Sequence, residues 1–311
     1  MSDGLHVILG TGPVGCWTAR SLRELGVAVR AVNRSGTRPA LLPHDVEVVR
    51  ADATDPASMV AAAAGAAVVH QAMNPPYHRW PELFPQLQAS ALAAAEAARA
   101  RYVSIDNLYM YSRGTNPIRE DSPQNPQTVK GRVRKEAGDA VLAAHTAGRV
   151  EAAILRSADY FGPGVTDSAF GERALAPLLA GKRADLLGRT DQPHSFAYIE
   201  DVGRAATTLA TSDSAWGEVW FTPHAPAVTQ GRMVELAAEA VGVAPRSRTM
   251  GAAMLRLGGL FIPAAREGVE MLYEFTEPFV VDSTKFTATF GIEATPLADA
   301  MRDTVAWYRR R

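Results

Sequence analysis

Cysteine and excess charge are both nearly absent from this chain of 311 residues. Its one cysteine, Cys16, excludes a disulfide within the chain and is predicted to be a small buried residue. Lysine and arginine number 32, against 33 for aspartate and glutamate, so the formal net charge is −1. This balance gives no electrostatic reason to expect nucleic acid or a membrane surface as a partner.

Long apolar runs and targeting signals are missing as well. Residues 56–73 are rich in alanine but interrupted by glycine, histidine and glutamine, which favours a short helix and a strand over a membrane span. The N-terminus offers only a short apolar run and no signal-peptide pattern. We therefore expect a cytoplasmic protein that does not contact a membrane.

Two kinds of catalytic machinery also lack support. The seven histidines are scattered, without the close ligand spacing of a zinc site, so no metal is predicted. No Gly-x-Ser-x-Gly segment is present, which argues against serine hydrolase chemistry. An apolar fraction of 47% is nevertheless enough for a large α/β core. These observations favour a soluble enzyme acting on a small-molecule substrate, and a homodimer stays open as its assembly.

A glycine-rich turn near the N-terminus is the strongest positive signal. Residues 5–9 predict a buried strand, and a helical pattern opens shortly after it. Between them lies a Gly-x-Gly-x-x-Gly loop, made of Gly10, Thr11, Gly12, Pro13, Val14 and Gly15. In a dinucleotide site, the first glycine allows the tight turn, the second lets backbone approach the pyrophosphate, and the third lets the helix pack on the sheet. The loop therefore predicts a bound dinucleotide.

The tip of the second predicted strand indicates which dinucleotide. An NAD site usually places an acid about 20 residues past the glycines to hold the ribose 2′-hydroxyl, whereas a 2′-phosphate needs a cation. Here Asn33 and Arg34 occupy the tip without an acid, and Ser35, Thr37 and Arg38 follow as possible helpers. NADP is therefore predicted over NAD. The alternative interpretation is a solvated polar turn.

Strands and helices alternate along the first half of the chain. Further strands are predicted at residues 46–49, 66–72, 102–105 and 150–155, and helices at 56–64, 81–100 and 128–147. This alternation is typical of an α/β fold with a doubly wound parallel sheet. We predict an NADP-binding core at residues 1–160, completed by about 196–222, and a substrate-binding portion at 161–195 and 223–311.

Several segments together resemble the extended short-chain dehydrogenase/reductase superfamily of NAD-dependent epimerases and dehydratases. They are the glycine loop, Asp52 after the third strand, and residues 120–123, 156–164 and 198–202. The resemblance implies a Rossmann-type core with a small C-terminal substrate-covering lobe, and it assigns Asp52 to the adenine amine. Ala53 and Met73, which follow the third and fourth strands, complete the predicted cofactor contacts.

The usual catalytic residues of this superfamily are replaced. Its tyrosine and lysine, four residues apart on one helix, align with Lys130 and Arg134, and its upstream serine aligns with Asn107. Lys130 could act as general acid or ribose ligand, Tyr109 or Tyr111 could supply a phenol, and Asn107 could polarise a carbonyl. The alternative is structural: packed tyrosines and a solvated lysine.

We expect an NADP-dependent oxidoreductase that transfers a hydride to or from a carbonyl or conjugated double bond. Family members that bind a sugar diphosphate typically carry asparagine where Asp159 stands, which makes a nucleotide sugar a less favoured substrate. An epimerase or dehydratase using bound NAD(P), or a non-catalytic NADP-binding protein, remains as an alternative. Tyr77, Trp80 and His194 are further predicted substrate contacts, with a rigid lid anchor as the other interpretation of the first two.

Overall fold

The computed structural model describes residues 4–258 and 268–311, and these form two compact units. The first unit contains the described residues up to Met110, together with Val129–Arg156 and Val202–Thr222. The second contains Tyr111–Thr128, Ser157–Asp201 and the described residues from Pro223 onward. Each unit has its own apolar core.

Seven parallel strands form the sheet of the first unit, in the order β11-β6-β5-β4-β1-β2-β3. The strands of the described residues are β1 (Leu5–Leu9), β2 (Val29–Asn33), β3 (Glu47–Arg50), β4 (Ala66–Gln71), β5 (Arg101–Asp106), β6 (Ala152–Arg156), β7 (Asp159–Phe161), β8 (Ala184–Leu187), β9 (Pro193–His194), β10 (Phe196–Tyr198), β11 (Val219–Phe221), β12 (Val228–Thr229) and β13 (Ser247–Met250). The order reverses direction between β1 and β4, which is the switch point at which doubly wound sheets bind ligands. The predicted fold class is confirmed.

The α-helices whose bounds both fall in the described residues are α1 (Pro13–Glu24), α2 (Pro56–Ala62), α3 (Trp80–Ala98), α4 (Val129–Thr146), α5 (Glu172–Leu179), α6 (Ile199–Thr211), α7 (Gln230–Val241), α8 (Ala252–Gly258), α9 (Thr284–Phe290) and α10 (Leu297–Arg310). Proline lies in the first turn of α1, α2 and α3, where its missing N–H costs nothing. Asp55 also caps α2 by accepting from the Ala57 N–H at 3.0 Å. No helix in these ranges is long and apolar enough to cross a membrane.

The sheet of the first unit is buried on both faces. Val7, Leu9 and Tyr102 pack on one side, where the small alanines of α3 allow the helix to lie close. Ile8 packs on the other side against α1, together with Cys16. Cys16 is buried as predicted, and burial raises the pKa of its thiol to about 11. Burial on both faces explains why these strands read as continuous apolar runs.

The second unit is built from shorter elements. Its strands form three small pairs, β10 with β7, β12 with β9 and β13 with β8. Its core is rich in large side chains, among them Phe161 on β7, Phe196 on β10, Met233 on α7, Met301 on α10, and Phe170 just before α5. The irregular pattern of the sequence past residues 162–164 corresponds to this architecture.

Candidate active site

The predicted cofactor and catalytic residues follow the carboxyl ends of five neighbouring strands. Across the order β5-β4-β1-β2-β3, these strands are followed by Asn107, Met73, Gly10, Arg34 and Asp52. Parallel strands bring their carboxyl ends to one edge of the sheet, so residues far apart in sequence meet there. Lys130 belongs to the first turn of α4, within the same unit.

The glycine loop has the backbone geometry that its pattern predicts. Gly10 has φ +102°, and a Cβ there would lie 2.8 Å from the Ala72 carbonyl oxygen. A Cβ on Gly15 would lie 2.0 Å from the Gly10 oxygen. Gly12, at the N-cap of α1, would meet nothing within 4 Å. Two glycines are therefore required by close packing, and the third leaves open space at the helix N-terminus, where a pyrophosphate would fit.

Asn33 organises the turn after β2. Its side-chain Nδ2 donates to Thr11 Oγ1 at 2.9 Å and to the Thr37 carbonyl at 2.8 Å. Its Oδ1 accepts from the Gly36 N–H at 2.6 Å. The asparagine thus ties the turn to the glycine loop. A cavity of about 340 Å³ lies between them, lined by Thr11, Asn33, Arg34, Ser35, Thr37, Arg38 and Pro39.

The two arginines of this cavity differ in what binds them. Arg38 donates to the carbonyls of Pro43 and Val46, both at 2.6 Å, so its guanidinium is used to hold the following loop. The prediction that Arg38 helps to bind a phosphate is thereby weakened. Arg34 is exposed and makes no hydrogen bond or ion pair with the residues that the structure describes. Arg34 is therefore the cation that remains available in the cavity lining.

Asp52 lies near Arg34 and is fixed by its own turn. Its Oδ1 accepts from the N–H and the hydroxyl of Thr54 at 2.9 and 2.8 Å. These bonds, with a smaller contribution from Arg34, lower the pKa of Asp52. Its neighbour Ala53 is half-buried in the same turn.

Met73 is held at the exit of β4 by a buried amide chain. Its backbone N–H donates to Gln71 Oε1 at 2.9 Å, and Gln71 donates in turn to Gln88 on α3 at 3.1 Å. Gln88 donates to the Tyr102 hydroxyl at 3.0 Å, deep in the sheet. The backbone after β4 is therefore rigidly placed, although Met73 itself is only half-buried.

Asn107 presents an amide group at the exit of β5. Its Oδ1 accepts from the Tyr109 N–H at 3.2 Å, while its backbone N–H donates to Asp106 Oδ1 at 2.8 Å. With the oxygen engaged inward, the Nδ2 group has no hydrogen-bond partner among the described residues. This geometry suits an amide donor to a carbonyl oxygen, the role predicted for Asn107.

Lys130 is buried rather than solvated, with 2% of its surface exposed. Its Nζ lies 4.6 Å from the centre of the Tyr77 ring, a cation–π contact. Tyr77 meets Trp80 edge-on at 4.9 Å, and Trp80 stacks with Tyr109 at 6.0 Å. One aromatic cluster therefore connects two of the predicted catalytic residues, Lys130 and Tyr109.

Three other aromatic and histidine assignments need correction. Trp80 is buried, and its Nε1 donates to the Pro75 carbonyl at 3.1 Å, so its face is not offered to a substrate. Tyr111 is buried, with its hydroxyl donating to the Glu120 carbonyl at 3.2 Å, which is the structural alternative. His194 is also buried and bonded within the second unit, so its ring does not contact a substrate directly. Each of these three side chains is therefore buried and hydrogen-bonded within the protein.

Sequence reasoning missed a buried ion-pair cluster behind Asn107. Arg134 donates to Asp106 Oδ1 at 3.0 Å and to Asn74 Oδ1 at 3.2 Å, and its guanidinium lies between Trp80 and Phe84 at 4.2 and 4.1 Å. Arg156 Nε lies 3.7 Å from Asp106 Oδ2. Arg134 thus joins the exits of β4 and β5. The signal available in the sequence was the arginine itself at the family's lysine position.

The second unit contains a separate cluster of ionisable groups. His194 Nε2 lies 2.8 Å from Asp159 Oδ2, and its Nδ1 lies 3.0 Å from the Glu274 carbonyl oxygen. Phe275 and Phe279 stack on the imidazole ring at 4.9 and 5.1 Å. No group of three metal-binding side chains is found in the described ranges.

The profile of the NAD dependent epimerase/dehydratase family matches residues 7–220. The chain therefore belongs to this family, as the motifs indicated. Membership supports an NAD(P)-using enzyme of the extended short-chain dehydrogenase/reductase superfamily. The similarity to an individual relative covers a shorter part of the chain. The spore coat polysaccharide biosynthesis protein SpsK of Bacillus subtilis (strain 168) is 33% identical over 119 residues. That match covers 37% of this chain and 39% of the relative, about two fifths of its length.

Solved structures of similar fold span almost the whole chain. MoeE5 in complex with UDP-glucose and NAD has a TM-score of 0.80 at 21% identity, with 99% of each chain covered. UDP-glucuronic acid 4-epimerase from Bacillus cereus, in complex with UDP-glucuronic acid and NAD, has a TM-score of 0.79 at 16% identity, covering 98% of this chain and 99% of that one. At these identities the likeness establishes a common fold.

Proposed function

We propose that the protein is an NADP-dependent oxidoreductase that transfers a hydride to or from a carbonyl or conjugated double bond of a small organic substrate. The observation that carries the cofactor choice is the acid-free cavity at the end of β2, in which Arg34 is exposed and uncommitted. A guanidinium forms charge-assisted hydrogen bonds with phosphate, whereas the 2′-hydroxyl of NAD offers it no charge. Ser35 and Thr37 add hydroxyl groups beside it.

The glycine loop would hold the pyrophosphate, because the open space above Gly12 lies at the N-terminus of α1. Asp52 and Met73 would border the adenine and nicotinamide sides. When bound, the dinucleotide would donate or accept the hydride, and the chain's own residues would orient the substrate and donate or accept the proton.

Two groups would act on the substrate. The free amide of Asn107 would donate a hydrogen bond to the substrate oxygen and polarise it. Lys130, sheltered from water against Tyr77, would give or accept the proton at that oxygen or orient the ribose. Tyr109 is the other candidate proton donor, from the same aromatic cluster.

Cofactor titration of the Arg34→Ala variant tests the cofactor choice. We expect NADP affinity to fall by about 1.5 to 3 kcal/mol, the contribution of a hydrogen bond to a charged group, with little change for NAD. Titration calorimetry of both cofactors provides the measurement. Arg149→Ala is the matched control, because it removes the same charge from the opposite edge of the sheet, where Arg149 pairs with Glu96. Equal losses for both cofactors, or tighter NAD binding in the wild type, would contradict the assignment.

Oxidation of NADPH with a panel of ketones, enones and quinones tests the reaction. Substrate-dependent turnover, with deuterium moving from C4 of the nicotinamide into the product, supports net hydride transfer. The second candidate is an epimerase or dehydratase acting through bound NAD(P), favoured by family membership and by the UDP-sugar complexes of MoeE5 and the Bacillus cereus epimerase. Isomerisation of UDP-glucose without net change in cofactor oxidation state would select this candidate instead.

A further inference from the structure

Two glutamines are buried within the first unit. Gln71, the last residue of β4, is 1% exposed, and Gln88 on α3 is 3% exposed. A buried amide costs free energy unless its polar atoms are hydrogen-bonded. Here all four oxygen and nitrogen atoms of the two amides are bonded, in a chain that ends on the Met73 N–H and on the Tyr102 hydroxyl. The chain therefore joins the backbone after β4 to a side chain of β5.

The hydrogen bonds of this chain have one possible direction. A backbone N–H can only donate, so the oxygen of Gln71 faces Met73. The nitrogen of Gln71 then needs an oxygen on Gln88, which leaves the nitrogen of Gln88 to donate to the Tyr102 hydroxyl. The Tyr102 hydroxyl has a second hydrogen-bond partner in Ser104. Each amide is thus fixed in one orientation.

The Met73 N–H lies where the backbone after β4 meets the glycine loop. A Cβ on Gly10 would lie 2.8 Å from the Ala72 oxygen and 2.9 Å from the Met73 nitrogen, so this backbone passes directly against the loop. A Cβ on Gly15 would in turn lie 2.0 Å from the Gly10 oxygen. The hydrogen bond between Met73 and Gln71 therefore holds the backbone on which the first glycine packs, and through that glycine it supports the start of α1.

We propose that Gln71 is a positioning residue for the dinucleotide, with Gln88 and the Tyr102 hydroxyl holding its amide in the required orientation. By fixing the Met73 backbone against Gly10, it positions the nicotinamide half of the cofactor, which the proposed function places beside Met73. The proposal deepens the proposed function and rests on it for that location. A leucine would fill similar space without burying an amide, so the hydrogen bond to Met73 is what the glutamine adds.

Ligand binding by Gln71→Leu, measured by calorimetry on the full chain, tests this role. The ligands are NADP and 2′,5′-ADP, which represent the whole dinucleotide and its adenosine half. Because the variant removes the acceptor of the Met73 N–H, affinity for NADP should fall about tenfold, while affinity for 2′,5′-ADP should change less than about twofold. Gln230→Leu is the matched control, since Gln230 is a buried glutamine of the second unit that donates to two backbone carbonyls. The control should bind both ligands as the wild type does.

The double variant Gln71→Leu/Gln88→Leu separates positioning from stability. Gln71→Leu alone leaves the oxygen of Gln88 buried without its donor, which should lower the midpoint of urea unfolding. In the double variant neither amide remains and the Tyr102 hydroxyl keeps its bond with Ser104, so the midpoint should return toward that of the wild type. The Met73 N–H lacks its acceptor in both variants. The weaker binding of NADP should therefore persist in the double variant, whereas a purely structural effect would disappear as stability recovers.

Three outcomes would overturn the proposal: wild-type NADP affinity in the double variant, equal losses for NADP and 2′,5′-ADP in Gln71→Leu, or an equal loss of NADP affinity in Gln230→Leu. A wild type that binds no dinucleotide would overturn it as well. Tighter binding of NAD than of NADP would instead contradict the cofactor choice of the proposed function, and the same variants would then be compared with NAD and ADP. None of these measurements needs a substrate, so a lack of turnover counts against the proposed reaction and not against the role of Gln71.

Discussion

The two units neutralise their buried carboxyl groups in different ways. In the first unit, Asp106 lies between the guanidinium groups of Arg134 and Arg156, which stay charged at any physiological pH. In the second unit, Asp159 Oδ2 lies 2.8 Å from His194 Nε2, and burial together with the charge of Asp159 raises the pKa of Glu274 well above its ordinary value. The buried carboxylate of the first unit is therefore balanced by fixed charges, whereas the buried carboxyl of Glu274 in the second unit depends on a bound proton.

The largest effect that we expect comes from Lys130, the buried lysine of the first unit that we propose as a proton donor or acceptor. Lys130→Met retains most of the length of the side chain but removes the proton, the charge and the cation–π contact with Tyr77. Loss of a positioned acid or base lowers turnover by about 10²- to 10⁴-fold. Steady-state kinetics on a confirmed substrate, with NADP affinity measured in parallel, provides the check.

Tyr109→Phe is the matched variant for this prediction, because Tyr109 belongs to the same aromatic cluster and loses only its hydroxyl. A small change in Tyr109→Phe beside a large loss in Lys130→Met assigns the proton to the lysine. The reverse order assigns it to the tyrosine. Wild-type turnover in both variants would remove both residues from the mechanism and leave polarisation by Asn107.

Breaking the ion-pair cluster of Asp106, Arg134 and Arg156 should lower the free energy of unfolding. Arg134→Met leaves Asp106 buried without its closest hydrogen-bonded cation, and loss of one partner from a buried pair costs about 3 to 5 kcal/mol. Arg134→Lys should recover only part of this loss, since one ammonium cannot hold Asp106 and Asn74 in the same planar geometry.

Urea unfolding monitored by circular dichroism measures these differences. The control is Arg149→Ala, whose exposed pair with Glu96 should contribute at most about 1 kcal/mol. If Arg134→Met were no less stable than Arg149→Ala, Asp106 would not depend on Arg134. The fixed-charge description of the first unit would then be wrong.

The sequence predicted the first unit well because its signals are local. The glycine loop, the alternation of strands and helices and the proline-started helices each follow from neighbouring residues, and the strand ends then fall at one edge of the sheet. Arg34 could be singled out from the residues around it. That Arg34 has no hydrogen-bond partner among the described residues, while Arg38 donates to the Pro43 and Val46 carbonyls, became visible only in the fold.

The interactions that sequence reasoning missed join residues far apart in the chain. Arg134 is 28 positions from Asp106 and 60 from Asn74, and His194 is 80 positions from the carbonyl of Glu274. No spacing rule connects such residues, and an arginine on a helix is ordinarily solvent-exposed. His194 was predicted to touch substrate because it falls in an irregular segment. Its aromatic surroundings come from Phe275 and Phe279 and became visible only in the fold.

The smallest effect that we expect is a difference between the two units in how their buried groups make the free energy of unfolding depend on pH. In the first unit, His6 on β1 and His70 on β4 share a buried contact of 3.1 Å, and burial lowers the pKa of His6 to about 4 and that of His70 also below its ordinary value. The unfolded chain takes up these protons near pH 6.5, so the stability associated with the neutral pair is present above that pH and is lost as pH falls toward 4. For His6 this amounts to about 3 kcal/mol.

Glu274 in the second unit should act in the opposite direction. Because burial raises its pKa in the folded chain, the unfolded chain ionises first, and stability falls as pH rises above about 4.3. Urea unfolding between pH 4.5 and 7 should therefore show that His6→Val/His70→Val flattens the loss at low pH, whereas Glu274→Gln flattens the decline toward high pH. If both variants changed the pH dependence of the free energy of unfolding in the same direction, the two units would respond to protons alike. The contrast between fixed charges and bound protons would then be wrong.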